Sequence, residues 1–159
     1  MLLALAVCLV IAVTGSGFGI WKGGLFDGDD SLRDAHQTAA AQAGKDVVTV
    51  FSYQYDSLDT HLTDAKALMT DSFAKKFEEI SPALNELAPE NKVRVKASTR
   101  NYAPMDCGDE CSENKASVLV FLDQARTQGK GEPTVFGNRI VVEMVRTDGD
   151  WLIDDIRTL

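Results

Sequence analysis

Asp123 is the residue whose surroundings could support acid–base chemistry, because it is a carboxylate that directly follows a strongly apolar stretch. With the phenol of Tyr53 or Tyr55 it could form the pair that an isomerase or dehydratase uses to move a proton, the pKa of each group being tuned by burial. A carboxylate in solvent at a strand end, with tyrosines that only pack, explains the pattern more simply. We therefore expect a protein that is not an enzyme, with no catalytic residue.

Other groups that often carry chemistry are isolated in this sequence. His36 and His61 fall on different predicted helices, and each is expected to be a polar residue at the surface or near a helix cap. Asp154 and Asp155 are adjacent on a predicted strand, so their side chains point to opposite faces and cannot share a substrate unless a bulge realigns them. The sequence has no nucleophile elbow, glycine-rich phosphate loop or His-Glu zinc motif. We expect neither a cofactor nor a bound metal.

Cys107 and Cys111 stand four residues apart between two strand-like stretches. A pair at this spacing across a tight loop can meet the distance requirements of a disulfide. A metal site would have to add Asp106, Asp109 or Glu110, and it lacks the second thiol pair or the histidine that a structural zinc site needs. The sequence favours the disulfide over metal or free thiols. A disulfide predicts an oxidising compartment, away from the cytoplasm.

The charge balance argues against nucleic acid as a partner. The chain has 24 acidic and 16 basic residues, with a net charge of −8. Such a surface repels phosphate backbones and anionic lipid head groups. The acidic charge is expected to keep the domain soluble.

The first 21 residues contain no Asp, Glu, Lys or Arg. A stretch of ~20 apolar residues is long enough to cross a ~30 Å hydrocarbon core as a helix. Trp21 and Lys22 stand where an interfacial aromatic and a snorkelling cation would anchor its end. We expect a transmembrane anchor over 1–22, with the rest of the chain on the extracytoplasmic side of the cell membrane. A cleaved signal peptide remains open, because small residues at Gly15 and Gly17 could allow cleavage.

After a flexible linker at 23–30, apolar residues recur at spacings of three and four, which predicts three helices. Gly44 weakens the first helix, and Pro82 must kink or interrupt the third. The apolar positions are Leu32, Ala35, Ala39, Ala43, Val47, Val50 and Phe51, then Leu58, Leu62, Ala65 and Met69, then Phe73, Phe77, Ile80, Leu84 and Leu87.

From residue 93 onward the apolar period becomes two, which predicts four strands around 93–97, 116–122, 140–144 and 151–156. Residues 129–137 are expected to form a loop, and Asp148-Gly149 a two-residue hairpin turn. Helices followed by antiparallel strands predict an α+β domain over 31–159. Three helices packed on one face of a curved four-stranded antiparallel sheet would form a cone, which is the plan of the nuclear-transport-factor-2-like, or SnoaL-like, fold.

The order of these segments resembles the Mce-associated membrane proteins of actinobacteria. The resemblance rests on the hydrophobic anchor, Tyr55-Asp56 after an Ala-rich helix, and the segments LMTDSF at 68–73, ASVLVFLDQ at 116–124 and DGDWLIDD at 148–155. The last segment also occurs in many other cone-fold domains.

The resemblance implies an accessory or stabilising subunit of an Mce-type lipid import system of the envelope, acting by protein–protein contact. The implied partners are Mce-type transporter subunits or other envelope proteins, membrane lipid through the anchor, and a lipid bound in the cone. An isomerase or dehydratase, or a lipid-binding carrier, on the same fold are the alternatives. The candidate pocket or interface residues are Tyr53, Tyr55, Phe121, Asp123 and Trp151.

Overall fold

The computed structural model describes residues Asp27–Leu159, of which Leu32–Leu159 form one compact unit. The predicted membrane anchor at 1–22 and most of the predicted linker lie outside the described residues. Among the helices from Asp27 onward, none has both the length and the apolarity needed to cross a bilayer.

Three α-helices occupy the first part of this region, as the apolar spacing predicts. They are α1 (Asp27–Phe51), α2 (Leu58–Lys66) and α3 (Asp71–Glu90). α1 begins within the segment 23–30, which the sequence presents as a linker. Thr70 caps the N-terminus of α3: its hydroxyl accepts a hydrogen bond of 3.3 Å from the Phe73 N–H, one of the free donors of the first turn.

The sheet has five antiparallel strands in the order β1-β2-β3-β4-β5. They are β1 (Tyr53–Gln54), β2 (Val93–Met105), β3 (Lys115–Gln128), β4 (Thr134–Thr147) and β5 (Asp150–Thr158). The predicted α+β class is correct, but the predicted count of four strands is wrong. The additional strand is β1, whose two residues pair with Val95 and Arg94.

The two hairpins at opposite ends of β4 differ in how well they match the sequence prediction. Asp148 and Gly149 both have positive φ, 53° and 100°, as a two-residue turn requires. The loop predicted over 129–137 is too long, because β4 already pairs with β3 at Thr134, opposite Arg126. A tight turn closed by a 2.9 Å bond from the Gly131 N–H to the Gln128 carbonyl replaces most of that loop.

The inner face of the sheet carries the core. Alternate residues of β3 and β4 are fully buried there, and Ala39, Ala43 and Val47 of α1 pack against them. The inner-face residues that are at most 2% exposed are Ala116, Val118, Val120, Leu122, Ile140, Val142, Met144 and Ile153. Bulges between Thr99 and Asn101 and between Glu143 and Met144 bend the strands.

Gly44 marks the point where α1 comes closest to β2. The Thr99 hydroxyl donates a 2.7 Å hydrogen bond to the Gly44 carbonyl. A Cβ at Gly44 would lie 2.8 Å from Cε1 of Tyr102, so no larger residue fits while that ring keeps its place. The glycine that weakens the helix in the sequence therefore permits the contact between helix and sheet.

The β2–β3 connection contains a disulfide between Cys107 and Cys111, with Cα atoms 5.3 Å apart, consistent with the pairing that the sequence favours. It encloses a single 3-10 turn at Gly108–Glu110. His36 Nε2 of α1 lies 3.0 Å from the Ser112 carbonyl just beyond this loop. The loop is thus tied both to itself and to α1.

Candidate functional site: the mouth of the cone

The end of α1 leads into a region of cavities that we call the mouth of the cone, and short local contacts position its side chains. Ser52, directly after α1, accepts a 2.9 Å hydrogen bond from the Ala97 N–H through its Oγ. This bond directs the chain into β1, where Tyr53 pairs with Val95. The 3.0 Å bond from the Tyr55 N–H to the Val93 carbonyl then completes the attachment of this edge to β2.

His61 is the buried polar residue of this region. It is 8% exposed, and its ring lies 5.8 Å from that of Tyr53 and 6.5 Å from that of Phe77. Burial lowers the pKa of His61, while the charge of Asp64 and a hydrogen bond with the Ser52 backbone partly oppose this shift. A neutral imidazole is therefore held at the junction of α2, α3 and β1.

Tyr53 lines three cavities around this junction. An open cavity of about 770 Å³ lies outside it, between α2 and the sheet edge, and contains Asp64, Arg94 and Lys96 in its lining. A second, of about 490 Å³, lies between α2, α3 and the end of β5, and a third, of about 460 Å³, lies between α3 and the ends of β2 and β3. Burial raises the pKa of the Tyr53 phenol, an effect partly opposed by the positive charge of Arg126.

The structure places Asp123 and Phe121 on the outer face of the sheet, away from these cavities. Asp123 pairs across the strands with Ser98 and forms an ion pair with Arg100. Phe121 is 39% exposed on the same face. Because Leu122, between them, points into the core, neither can belong to a pocket inside the cone.

Tyr55 is half-buried beside Arg94 and packs against an apolar cluster that includes Leu58 and Val93. The guanidinium lies 4.8 Å from the centre of the Tyr55 ring and donates a 3.2 Å hydrogen bond to its hydroxyl. Arg94 also lies 3.9 Å from Asp56. The tyrosine and the neighbouring carboxylate thus flank an exposed arginine, and they do not form the buried acid–base pair that an isomerase of this fold would need.

Trp151 is a core residue, 6% exposed, packed in the main cluster of the cone. Its Nε1 has no hydrogen-bond partner among the described residues, and the same is true of Oδ2 of the buried Asp46. Asp46 Oδ1 accepts a 2.8 Å bond from Gln42, and burial raises the pKa of this carboxyl. Of the five predicted site residues, the mouth contains Tyr53 alone.

The sequence does not assign three residues that line the mouth to a site: His61, Leu84 and Arg126. His61 is not the surface or cap residue that its isolation in the sequence suggests. No group of His, Cys, Asp or Glu side chains that could hold a metal ion occurs between Asp27 and Leu159. The lining of the mouth combines apolar side chains with charged ones, among them Arg94, Lys96 and Asp64.

Two proteins of Mycobacterium tuberculosis are similar to this chain in sequence. The chain is 26% identical over 120 residues to the uncharacterised protein Rv1362c, a match that covers 75% of this chain and 53% of Rv1362c. It therefore spans about half the length of that relative. It is 25% identical over 153 residues to the outer membrane protein Rv1973, covering 95% of this chain and 91% of that one. No protein family model matches the sequence.

Solved structures with the same fold include proteins of type IV secretion systems. An IcmL-like type IV secretion system protein of Legionella pneumophila has a TM-score of 0.64 at 8% identity, covering 77% of this chain and 91% of that chain. CagV, a VirB8 homologue of Helicobacter pylori, has a TM-score of 0.61 at 14% identity, covering 77% of this chain and 96% of CagV. The periplasmic domain of DotI has a TM-score of 0.63 at 14% identity, covering 77% of this chain and 94% of the DotI domain. At these identities the likeness establishes the fold.

These comparisons overturn the resemblance to Mce-associated proteins and the role in Mce-type lipid import that it implies. The matching structures are VirB8-like and IcmL-like secretion components, and neither mycobacterial relative is named as an Mce protein. The two alternatives, an isomerase or dehydratase and a lipid-binding carrier, gain no support from them. The segments 68–73, 116–124 and 148–155 therefore do not identify the transport system.

Proposed function

We propose that this protein is a non-enzymatic assembly domain of a secretion-type apparatus in the cell envelope, acting by contact with other envelope proteins. The observation that carries the proposal is the likeness to VirB8-like and IcmL-like domains over about three quarters of the chain. The arrangement of the residues that could have supplied acid–base chemistry supports it: Asp123 pairs with Arg100 on the outer face of the sheet, and Tyr55 stands beside Arg94, so the two do not meet.

The same proposal places the domain on the extracytoplasmic side of the membrane. The related DotI structure is a periplasmic domain, and Rv1973 is named as an outer membrane protein. The Cys107–Cys111 disulfide supports this location, because disulfides persist in oxidising compartments.

Isolation of the full chain from membranes after chemical cross-linking tests the proposal. We expect the chain in a complex much heavier than a monomer, with the same set of envelope proteins in every preparation. Membranes that contain the chain only as a monomer or homodimer would contradict it. A full-length Gly44→Trp variant serves as the control, because it disrupts the contact between α1 and β2 and should not enter the complex.

A further inference from the structure

The second and third cavities lie next to each other along α3, because both are lined by Tyr53 and Leu84. We call the two cavities together, between α3 and the inner face of the sheet, the mouth groove. Its lining is largely apolar and includes Phe73, Phe77 and Leu62 at one end and Leu87, Ala88 and Val93 at the other.

Charges on the mouth groove are of one sign. Lys76 lines it at the α2 end and Arg126 at the other end, and no Asp or Glu belongs to its lining. Neither cation has an ion-pair partner within Asp27–Leu159. In a chain with 24 acidic residues against 16 basic ones, two unpaired cations at an apolar groove form a local positive site.

One large apolar side chain of the groove lining, and one next to Arg126 outside that lining, stand in solvent. Leu87 of α3 is 57% exposed and Phe136 of β4 is 49% exposed. Phe136 is directly opposite Gln124 and therefore shares the inner face with Arg126, its diagonal neighbour on β3. Apolar surface next to unpaired charge is the pattern of a surface that a partner covers.

The free edge of β2 is protected against the other common way of binding a peptide, strand addition. The N–H of Ala97 points away from β3, toward the Ser52 hydroxyl. Backbone groups alternate in direction along a strand, so after the bulge that follows Thr99 the backbone nitrogens of Tyr102 and Pro104 face this edge. The Tyr102 N–H is bonded to Asn101 Oδ1 at 2.9 Å, and proline has no N–H. A partner strand would find few donors there.

We infer that the mouth groove binds an acidic, apolar segment of a partner protein, one in which Asp or Glu stands beside Leu or Phe. The apolar side chains occupy the groove between Tyr53, Leu84 and Phe136, and the carboxylates meet Arg126 and Lys76. This inference rests on the proposed function and adds to it the chemistry of the partner.

Selection of random short peptides displayed on phage against the full chain in detergent micelles tests this chemistry. We expect the enriched peptides to combine acidic and large apolar residues. The double charge reversal Lys76→Glu with Arg126→Glu should weaken binding of the best synthetic peptide about tenfold. Phe136→Ser should also weaken it. The matched control, Arg33→Glu with Lys75→Glu, makes the same change of net charge outside the groove and should leave the affinity unchanged.

The inference is overturned if no peptide is enriched, if the enriched peptides are neutral or basic, or if the reversal at Lys76 and Arg126 has no more effect than the control. It is also overturned if the full chain forms a dimer that the reversal breaks, because a second copy would then occupy the groove. In each case the cross-linking of membranes tests the proposed function separately, because partners could still bind at another surface of the domain.

Discussion

The imidazole of His61 packs against the phenol ring of Tyr53, with ring centres 5.8 Å apart, and this contact joins α2 to the sheet edge at the mouth. Both groups are kept in their neutral forms by burial, which lowers the pKa of His61 and raises that of Tyr53. Tyr53 and His61 both belong to the lining of the mouth groove.

Acidification should destabilise the domain through His61. Because the pKa of His61 is lower in the folded state than its ordinary 6.5, the unfolded chain binds more protons below that pH. The contribution of neutral His61 to the free energy of unfolding is fully present above about pH 6.5. It falls as the pH drops toward the folded-state pKa and changes no further below that pKa. Urea unfolding of the wild type and His61→Gln at several pH values measures this loss, which His61→Gln should abolish. The control His36→Gln should retain it, and an equal loss in wild type and His61→Gln would contradict the account.

Gly44→Ala should destabilise the domain by about 1 kcal/mol. Overpacking against the Tyr102 ring costs about 1–3 kcal/mol, and the better helix propensity of alanine offsets about 1 kcal/mol of this. Thermal unfolding monitored by circular dichroism measures the difference. In a Tyr102→Ser background the clash is absent, so the same substitution should become stabilising. If Gly44→Ala stabilises the wild type, α1 does not need this close approach.

Asp46→Asn should stabilise the protein at neutral pH by about 1 kcal/mol. The amide oxygen can still accept the bond from Gln42, while the buried negative charge, whose desolvation raises the pKa of Asp46, is removed. Since the raised pKa means that ionisation costs stability, the gain should shrink as the pH falls toward 3.8. Denaturant titrations at pH 7 and pH 4 test this. The exposed Asp34→Asn is the control, and a gain independent of pH would contradict the account.

The main elements were predictable because their signals are local. The switch from a period of three or four to a period of two marks the change from helices to strands, and Asp148-Gly149 marks the last hairpin. β1 was not predictable, because its two residues are held by contacts with β2 and by the Ser52 hydroxyl, which leave no pattern in the sequence.

The candidate site was predicted less well, although one signal was present. Val118, Val120 and Leu122 alternate toward the core, so the same alternation assigns Asp123 to the outer face and excludes it from the cone. The burial of His61 arises from α2 and α3 folding over β1, and a single histidine carries no sign of it. The motif DGDWLIDD marks a common fold, which is why it suggested the wrong family.

Site-specific photo-cross-linking at the mouth tests the central claim most directly. A photoreactive amino acid replaces Leu87 or Phe136 in the full chain in cells, with the exposed Asp109 on the disulfide loop as the control position. We predict that both mouth positions give the same adducts with another envelope protein and that Asp109 does not. Adducts that are absent from both mouth positions, or equal at all three, would contradict the claim that this domain works by binding a partner protein at the mouth of its cone.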